Sequence, residues 1–332
     1  MSESVESPEL PRAEPPADLP EVQPPTAGFI VQLFGIPLAI VAVAVLVWLL
    51  FGKIASSHRA PTEYLEDLRS PNFERRWSAA RDLASILPHN TEWQNDREFA
   101  QELAKELENE LVRGPTGPNE IRYVHFIAET LGEFRSEAGI PVLRKALDSK
   151  VDRDVREAAV MGLGKLTGRL DGLHDPGAID DLVATAKNDD DPTIRVKATW
   201  ILGRTRNERA IRGLTPLLND GDPEVRLNAA SSLASLGSTD GLETLAEMLN
   251  QNQLRESLQA RGLTSAQVES QLVAIPLSGL QSLAILLDGI PSTDLEPLRD
   301  EIETLSNHRN KSIQISAKAL LIKLNSSRTQ VK

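Results

Sequence analysis

No cysteine occurs among the 332 residues, so disulfides, thiolate metal sites and cysteine nucleophiles are all excluded. Histidine is almost as scarce. The five histidines, at 58, 89, 125, 174 and 308, have no paired ligand spacing, and neither a zinc site nor a Ser/His/Asp triad can be assembled from them. Aromatic residues make up 4% of the chain while Leu, Ala, Ile and Val are plentiful, a balance that suits helices packed through small aliphatic side chains. The expected class is all-α. A surplus of positive charge is also missing: the formal charge is −12, and phosphate binding needs clustered Lys and Arg. We therefore expect no nucleic acid, no metal, no cofactor, no small-molecule substrate and no enzymatic activity.

What is present falls into segments. Residues 1–28 carry seven prolines, six carboxylates and a single base, Arg12, a composition that cannot bury enough apolar surface to order itself. Phe29 to Phe51 then runs 23 residues without a charge. At roughly 1.5 Å per residue such a helix is about 35 Å long, enough to cross a hydrocarbon core of about 30 Å. The spacing predicts a transmembrane helix over 29–51. A secretory signal and a buried core helix are the rival readings, but the first calls for a basic start and a shorter apolar stretch, and the second is unusual at this length without a polar face. Lys53, Arg59 and Arg69 follow the run, against Arg12 alone before it, which places the large C-terminal part in the cytoplasm. Residues 52–61 read as a linker, 62–325 as the folded array and 326–332 as a disordered C-terminus.

The array announces itself by repetition. Ile140-x-x-Leu143 precedes Val155-Arg156-x-x-Ala159; Ile179-x-x-Leu182 precedes Ile194-Arg195-x-x-Ala198; and Ile211-x-x-Leu214 precedes Val225-Arg226-x-x-Ala229. Each phrase predicts a helix pair, and such pairs bury their apolar faces only by stacking. Weaker copies flank these three: Arg76, Ala79, Ala80 and Leu83 upstream, and Ile313, Ala317 and Leu321 downstream. The expected architecture is an α-solenoid of about seven pairs. Thr91 with Gln94 predicts a capping box opening the helix that carries Phe99, Leu103, Leu107 and Leu111, with Gly114-Pro115 as its stop and a partner helix from about Asn119. The polar stretch 250–271 breaks the period and is expected to be an extended helix or insertion before the apolar run Leu272 to Leu287.

Asp191-Pro192 and Asp222-Pro223 each set an N-cap acceptor before a proline at the first helical position, so they start helices. Asp189-Asp190-Asp191 lacks the spaced acids, central Gly and terminal Glu of a calcium loop. Gly162-Leu163-Gly164-Lys165 is not a phosphate loop, because Leu follows the Lys and no strand precedes it. Arg156, Arg195 and Arg226 lie about 100° round the helix from the inward aliphatic and should point towards a neighbouring repeat. Positions two, six and nine after that aliphatic fall opposite the core: Glu157, Met161 and Gly164; Val196, Trp200 and Gly203; Leu227, Ser231 and Ala234. Met161, Val196, Trp200, Leu227 and Ser231 are the candidate partner-binding residues of this strip, since Trp and Met are common interface anchors.

These motifs resemble HEAT repeats, carried by Asp191-Pro192-x-Ile194-Arg195-x-x-Ala198-x-x-x-Leu202-Gly203 and Asp222-Pro223-x-Val225-Arg226-x-x-Ala229-x-x-x-Leu233. The units from about 176 to 249 are similar to the short bacterial variety also found in phycobilisome lyases. The resemblance implies a solenoid whose second helices line a concave surface, arginines that pair with acidic turns, and a scaffold role more often than catalysis. The expected function is a membrane-anchored, non-enzymatic scaffold or adaptor for protein partners. A chromophore lyase is the alternative, and a nucleic-acid-binding HEAT-like protein a third reading, weakened by the net −7 of residues 52–332.

Overall fold

The computed structural model describes residues 28, 31–55, 59–115 and 117–330. The expected acidic tail and part of the 52–61 linker lie outside those residues. Two units divide the chain, residues 1–59 and 60–332.

In the first unit, a π-helical turn, Val31–Gly35, leads into helix α1, Ile36–Ala55. Pro37 sits at the second position of α1, where its missing N–H falls at the junction of the two helix types and breaks no interior α-helical bond. Val31–Leu49 has a mean hydropathy of 2.4 and no buried residue, so it is long and apolar enough to cross a membrane.

The second unit holds seven helix pairs among its described residues, which confirms the predicted α-solenoid. They are α2 (Pro61–Leu68) with α3 (Phe73–Ile86), then α5 (Arg97–Arg113) with α6 (Pro118–Leu131), α7 (Ile140–Ala146) with α8 (Arg153–Arg169), and α9 (Pro176–Asn188) with α10 (Pro192–Leu202). There follow α11 (Glu208–Leu214) with α12 (Pro223–Ser235), α13 (Leu242–Leu249) with α15 (Ser265–Gly289), and α16 (Arg299–Ser306) with α17 (Lys311–Gln330). Two short helices stand outside the pairs: α4, Thr91–Gln94, and α14, Gln251–Ala260. The described residues contain no β-strand.

Local chemistry sets the helix starts. Asp191 and Asp222 cap α10 and α12, their carboxylates accepting from Thr193 N at 2.7 Å and Glu224 N at 2.7 Å. Pro192 and Pro223 occupy the first helical position, where no N–H is needed. Second helices stack side by side in chain order, α3 on α6, α6 on α8, and so on to α15 on α17, with the first helices forming the other layer. Val155, Ile194 and Val225, the first aliphatics of the three clear copies, are fully buried between the layers, as are Ala159, Ala198 and Ala229 one turn on.

The residue nine places after each of these aliphatics is small for a reason of space. A Cβ on Gly203 would lie 2.7 Å from the Cα of Ser232 on the next second helix, and one on Gly164 would lie 2.8 Å from Ile201 Cδ1. Gly132 meets Gly162 in the same way, 2.6 Å from its carbonyl oxygen, and Ala234 is buried. The positions expected at the edge of an exposed strip, Gly164, Gly203 and Ala234, are thus contact points between repeats. Counting 100° per residue placed them opposite their own core and took no account of the neighbour alongside.

Two other expectations change, and the expected insertion at 250–271 takes a definite form. Thr91–Gln94 is a separate turn capped by Asn90, whose Oδ1 accepts from Trp93 N at 3.1 Å, and α5 begins with Asp96 accepting from Phe99 N at 2.9 Å. The Gln94 side chain is buried and donates to the carbonyls of Leu87 and Pro88, so it is not available as a capping-box partner. The 250–271 stretch folds as α14 and the start of α15, closed over a small cluster of Leu254, Leu258, Val268 and Leu272. Helix α17 runs to Gln330, past the boundary drawn at 325. Helix α15 is also apolar and long enough to cross a membrane, yet 44% of its apolar window is buried inside the unit, so it is read as a core helix.

Gly203→Ala should lower stability by about 1–3 kcal/mol through overpacking against the Ser232 backbone. Urea unfolding of the detergent-solubilised chain tests this; an unchanged midpoint would show that α10 and α12 can separate freely.

Candidate partner-binding face

Two ladders of charge join successive repeats, and the strip of candidate residues lies among them. The first ladder runs through the turns between first and second helices. Arg156 grips Asp189 of the next repeat with two bonds, Nε to Oδ2 at 2.8 Å and Nη2 to Oδ1 at 2.9 Å, while Nη1 donates to Val151 O at 2.8 Å. Arg195 repeats the pattern on Asp220 at 3.3 and 3.1 Å, and its Nη1 donates to Asp189 O at 3.0 Å. Arg226 donates to Asp220 O at 2.9 Å and to Gly221 O. Asp189 and Asp220 also accept from the backbone N–H of Asp191 and Asp222. Each thus shapes its own turn as well as holding the preceding arginine.

Burial pushes the carboxyls of Asp189 and Asp220 up, and the hydrogen bonds from Arg156 and Arg195, those from the backbone N–H of Asp191 and Asp222, and the arginine charge together outweigh it, leaving both below the usual carboxylate range. Asp191, hydrogen-bonded by Arg153 at 2.6 Å, is lowered to about 2. The expected orientation towards the neighbouring repeat holds for Arg156 and Arg195 and not for Arg226, and the acidic turns implied as partners by the HEAT resemblance are used, though the particular acids, Asp189 and Asp220, were not singled out. The signal was there: both stand two residues before a capping Asp, at the same offset in two copies. Arg76, the upstream counterpart, reaches Glu110 at 3.2 Å and stacks over the rings of Phe73 and Tyr123.

The second ladder crosses the exposed faces of the second helices. Lys165 on α8 meets Glu129 of α6 at 3.0 Å and Glu133 at 3.2 Å, and Arg169 meets Glu133 at 2.5 Å. Glu157 is tied to Arg153 on its own helix and to Lys197 on α10. Lys323 on α17 reaches Asp288 of α15 at 2.7 Å. His125 Nε2 lies 3.1 Å from Glu129, and the hydrogen bond between them raises the imidazole and, together with Lys165, holds Glu129 at about 2. Glu157, placed on the strip by its spacing, is therefore committed to ion pairs.

Beside these pairs the apolar strip is visible. Trp200 is 47% exposed in the middle of the second-helix row, with Arg204 Cζ 4.8 Å from its ring centroid, one turn on. Val196 and Leu227 are half-buried and packed on the core beneath, and Met161 and Ser231 are half-buried on the flanking helices. Ser232 Oγ donates to Thr199 O at 3.0 Å, which fixes the register of α12 on α10 beside Trp200. The glycines of the 162–168 segment lie inside α8, where no phosphate-binding loop exists. No group of three or more His, Asp or Glu capable of holding a metal ion occurs among the described residues.

Residues 120–195 and 179–261 match the sequence profile of HEAT repeats. No curated protein matches the chain. Among solved structures, the chain is similar to the CpcE–CpcF complex of phycocyanin lyase from Nostoc sp. PCC7120, at 19% identity and a TM-score of 0.44, over 82% of this chain and 96% of that one. A designed armadillo repeat protein in complex with the peptide (KR)4 gives 18% identity and a TM-score of 0.43, over 81% of this chain and all of that one.

Removing the Arg156 side chain, as in Arg156→Met, leaves Asp189 buried without its counter-charge and should cost about 3–5 kcal/mol. Arg206→Met, which breaks an exposed pair with Asp171, should leave the unfolding midpoint essentially unchanged. Equal effects in the two variants would deny the ladder its structural role. The His125–Glu129 pair also sets a pH window. Glu129, held below its ordinary 4.5, gives stability that is present above that value and lost as pH falls towards 2. His125, raised above 6.5, gives stability that is complete below 6.5 and lost as pH rises through its folded value. The difference in unfolding midpoint between the native chain and Glu129→Gln should therefore peak between pH 4.5 and 6.5.

Proposed function

We propose that this chain is a non-enzymatic scaffold or adaptor that holds a protein partner on its second-helix face, around Trp200, and is moored to a bilayer by residues 29–51. The carrying observation is the half-exposed indole at the centre of the repeat array, cradled by Arg204 and flanked by Met161, Val196, Leu227 and Ser231. Exposed aromatic side chains with a cationic neighbour are the type of anchor that dominates protein interfaces. The neighbouring charges are tied to one another in cross-repeat pairs, so they form a polar rim about the indole. HEAT-type repeats support the reading because they supply a long, rigid surface. Mooring is supported by the length, apolarity and complete exposure of Val31–Leu49, and Lys53, Arg59 and Arg69 favour a cytoplasmic solenoid.

In-cell crosslinking from a photoreactive residue at position 200, followed by mass spectrometry, should yield a specific protein adduct. Trp200→Ala should weaken that partner's binding about 30-fold, the effect of losing an anchor of about 2 kcal/mol, with unfolding behaviour retained. An adduct with nucleic acid or a small molecule, or full binding by Trp200→Ala, would overturn the proposal.

A further inference from the structure

Among the described residues no further helix covers the outer face of the last second helix, α17. Ile313, Ala317, Leu320 and Leu324 face inward and are buried. On the opposite side of the helix lie Lys311, Ile315, Lys318, Ala319 and Ile322, all exposed. Ile315 and Ile322 are 65% and 66% exposed, among the most exposed large apolar side chains of the second unit. Ile315, Ala319 and Ile322 stand two, six and nine places after Ile313, the offsets occupied in an internal repeat by Glu157, Met161 and Gly164. A helix face left open to water is normally polar. This one carries exposed isoleucines, so a non-aqueous neighbour is called for.

Charge decides which neighbour. The last 22 residues, 311–332, contain Lys311, Lys318, Lys323, Arg328 and Lys332 and no Asp or Glu, within a chain of net −12. The face therefore alternates isoleucine with lysine, the pattern of a helix lying at an anionic lipid surface with its apolar side chains among the acyl chains and its cations at the headgroups. A parallel two-fold pairing of two copies through this face would set Lys311 and Lys318 against their own counterparts, and an antiparallel one would set each lysine against an isoleucine. Continuation by another repeat is also disfavoured, because internal repeats keep the ninth position small for the neighbouring helix and Ile322 is large. A fluid surface has neither constraint.

We propose that α17 is a membrane-surface contact, docking its Ile315–Ile322 face on bilayers that contain anionic lipid. This goes beyond the partner face at Trp200, uses a different helix, and does not require α1 to span.

The absence of cysteine makes the test clean. In the full-length chain, Ile322→Cys carries a single fluorophore, and Ser235→Cys, exposed on α12, carries the control. Each is incorporated into nanodiscs of phosphatidylcholine alone or with phosphatidylglycerol, both containing nitroxide-labelled lipid. The label at 322 should be quenched in the phosphatidylglycerol discs, less so at high salt, and the label at 235 should not. Lys318→Gln should reduce the docking constant about fivefold, the effect of one cation near a charged surface. A label at 322 that stays in water in both discs would overturn the proposal. So would one shielded equally in detergent in a concentration-dependent manner, which would assign the face to a second copy, or one shielded only by an acidic protein. Failure of the chain to enter phosphatidylcholine discs would count against α1 as a span, while docking of 322 on anionic discs would still be read.

Discussion

Everything in the repeat unit depends on how closely one second helix can lie against the next. At Gly132 on Gly162, Gly164 on Ile201 and Gly203 on Ser232 adjacent second helices meet with no room for another carbon. That approach aligns the core aliphatics of successive central pairs, brings Arg156 within reach of Asp189, and lays Glu157 beside Lys197. Packing comes first here. The ion pairs are positioned by it and then resist slippage, since a buried guanidinium and carboxylate tolerate little displacement without losing their hydrogen bonds.

The pair motif with its Asp-Pro starts and inward aliphatics was legible because each rests on periodicity and capping, which are local. Asp189 and Asp220 were less legible, because their role depends on an arginine 33 or 25 residues earlier, which only the stacked geometry brings alongside. The same reason explains Gly164 and Gly203: a single-helix projection sees one core, and a solenoid helix has two neighbours besides its own partner. Thr91 and Gln94 misled differently, since Asn90 and Asp96 are competing caps a few residues away, and tertiary burial of Gln94 decided between them. Trp200 could be placed on an outward face from spacing alone, but its contact with Arg204 needed coordinates.

Charge is distributed with purpose along the unit. Acidic residues are spent on turns and on cross-repeat pairs through the middle, while all five charged residues of the final 22 are cationic. The polarity of the chain along its length is therefore a property of the sequence that a net value of −12 conceals.

The arginine ladder is a daisy chain in which every clasp is fastened to the next turn, until Arg226, whose donors fold back on the carbonyls of Asp220 and Gly221. Helix α12, which carries Arg226, is also where the core divides: Val225, Ala229 and Leu233 belong to one apolar cluster, Ala230 and Ala234 to the other. The two apolar clusters therefore share one helix, and what ties α12 to the chain that follows is its packing on α15 and the exposed Arg261–Glu224 pair at 3.3 Å, in place of a buried arginine clasp.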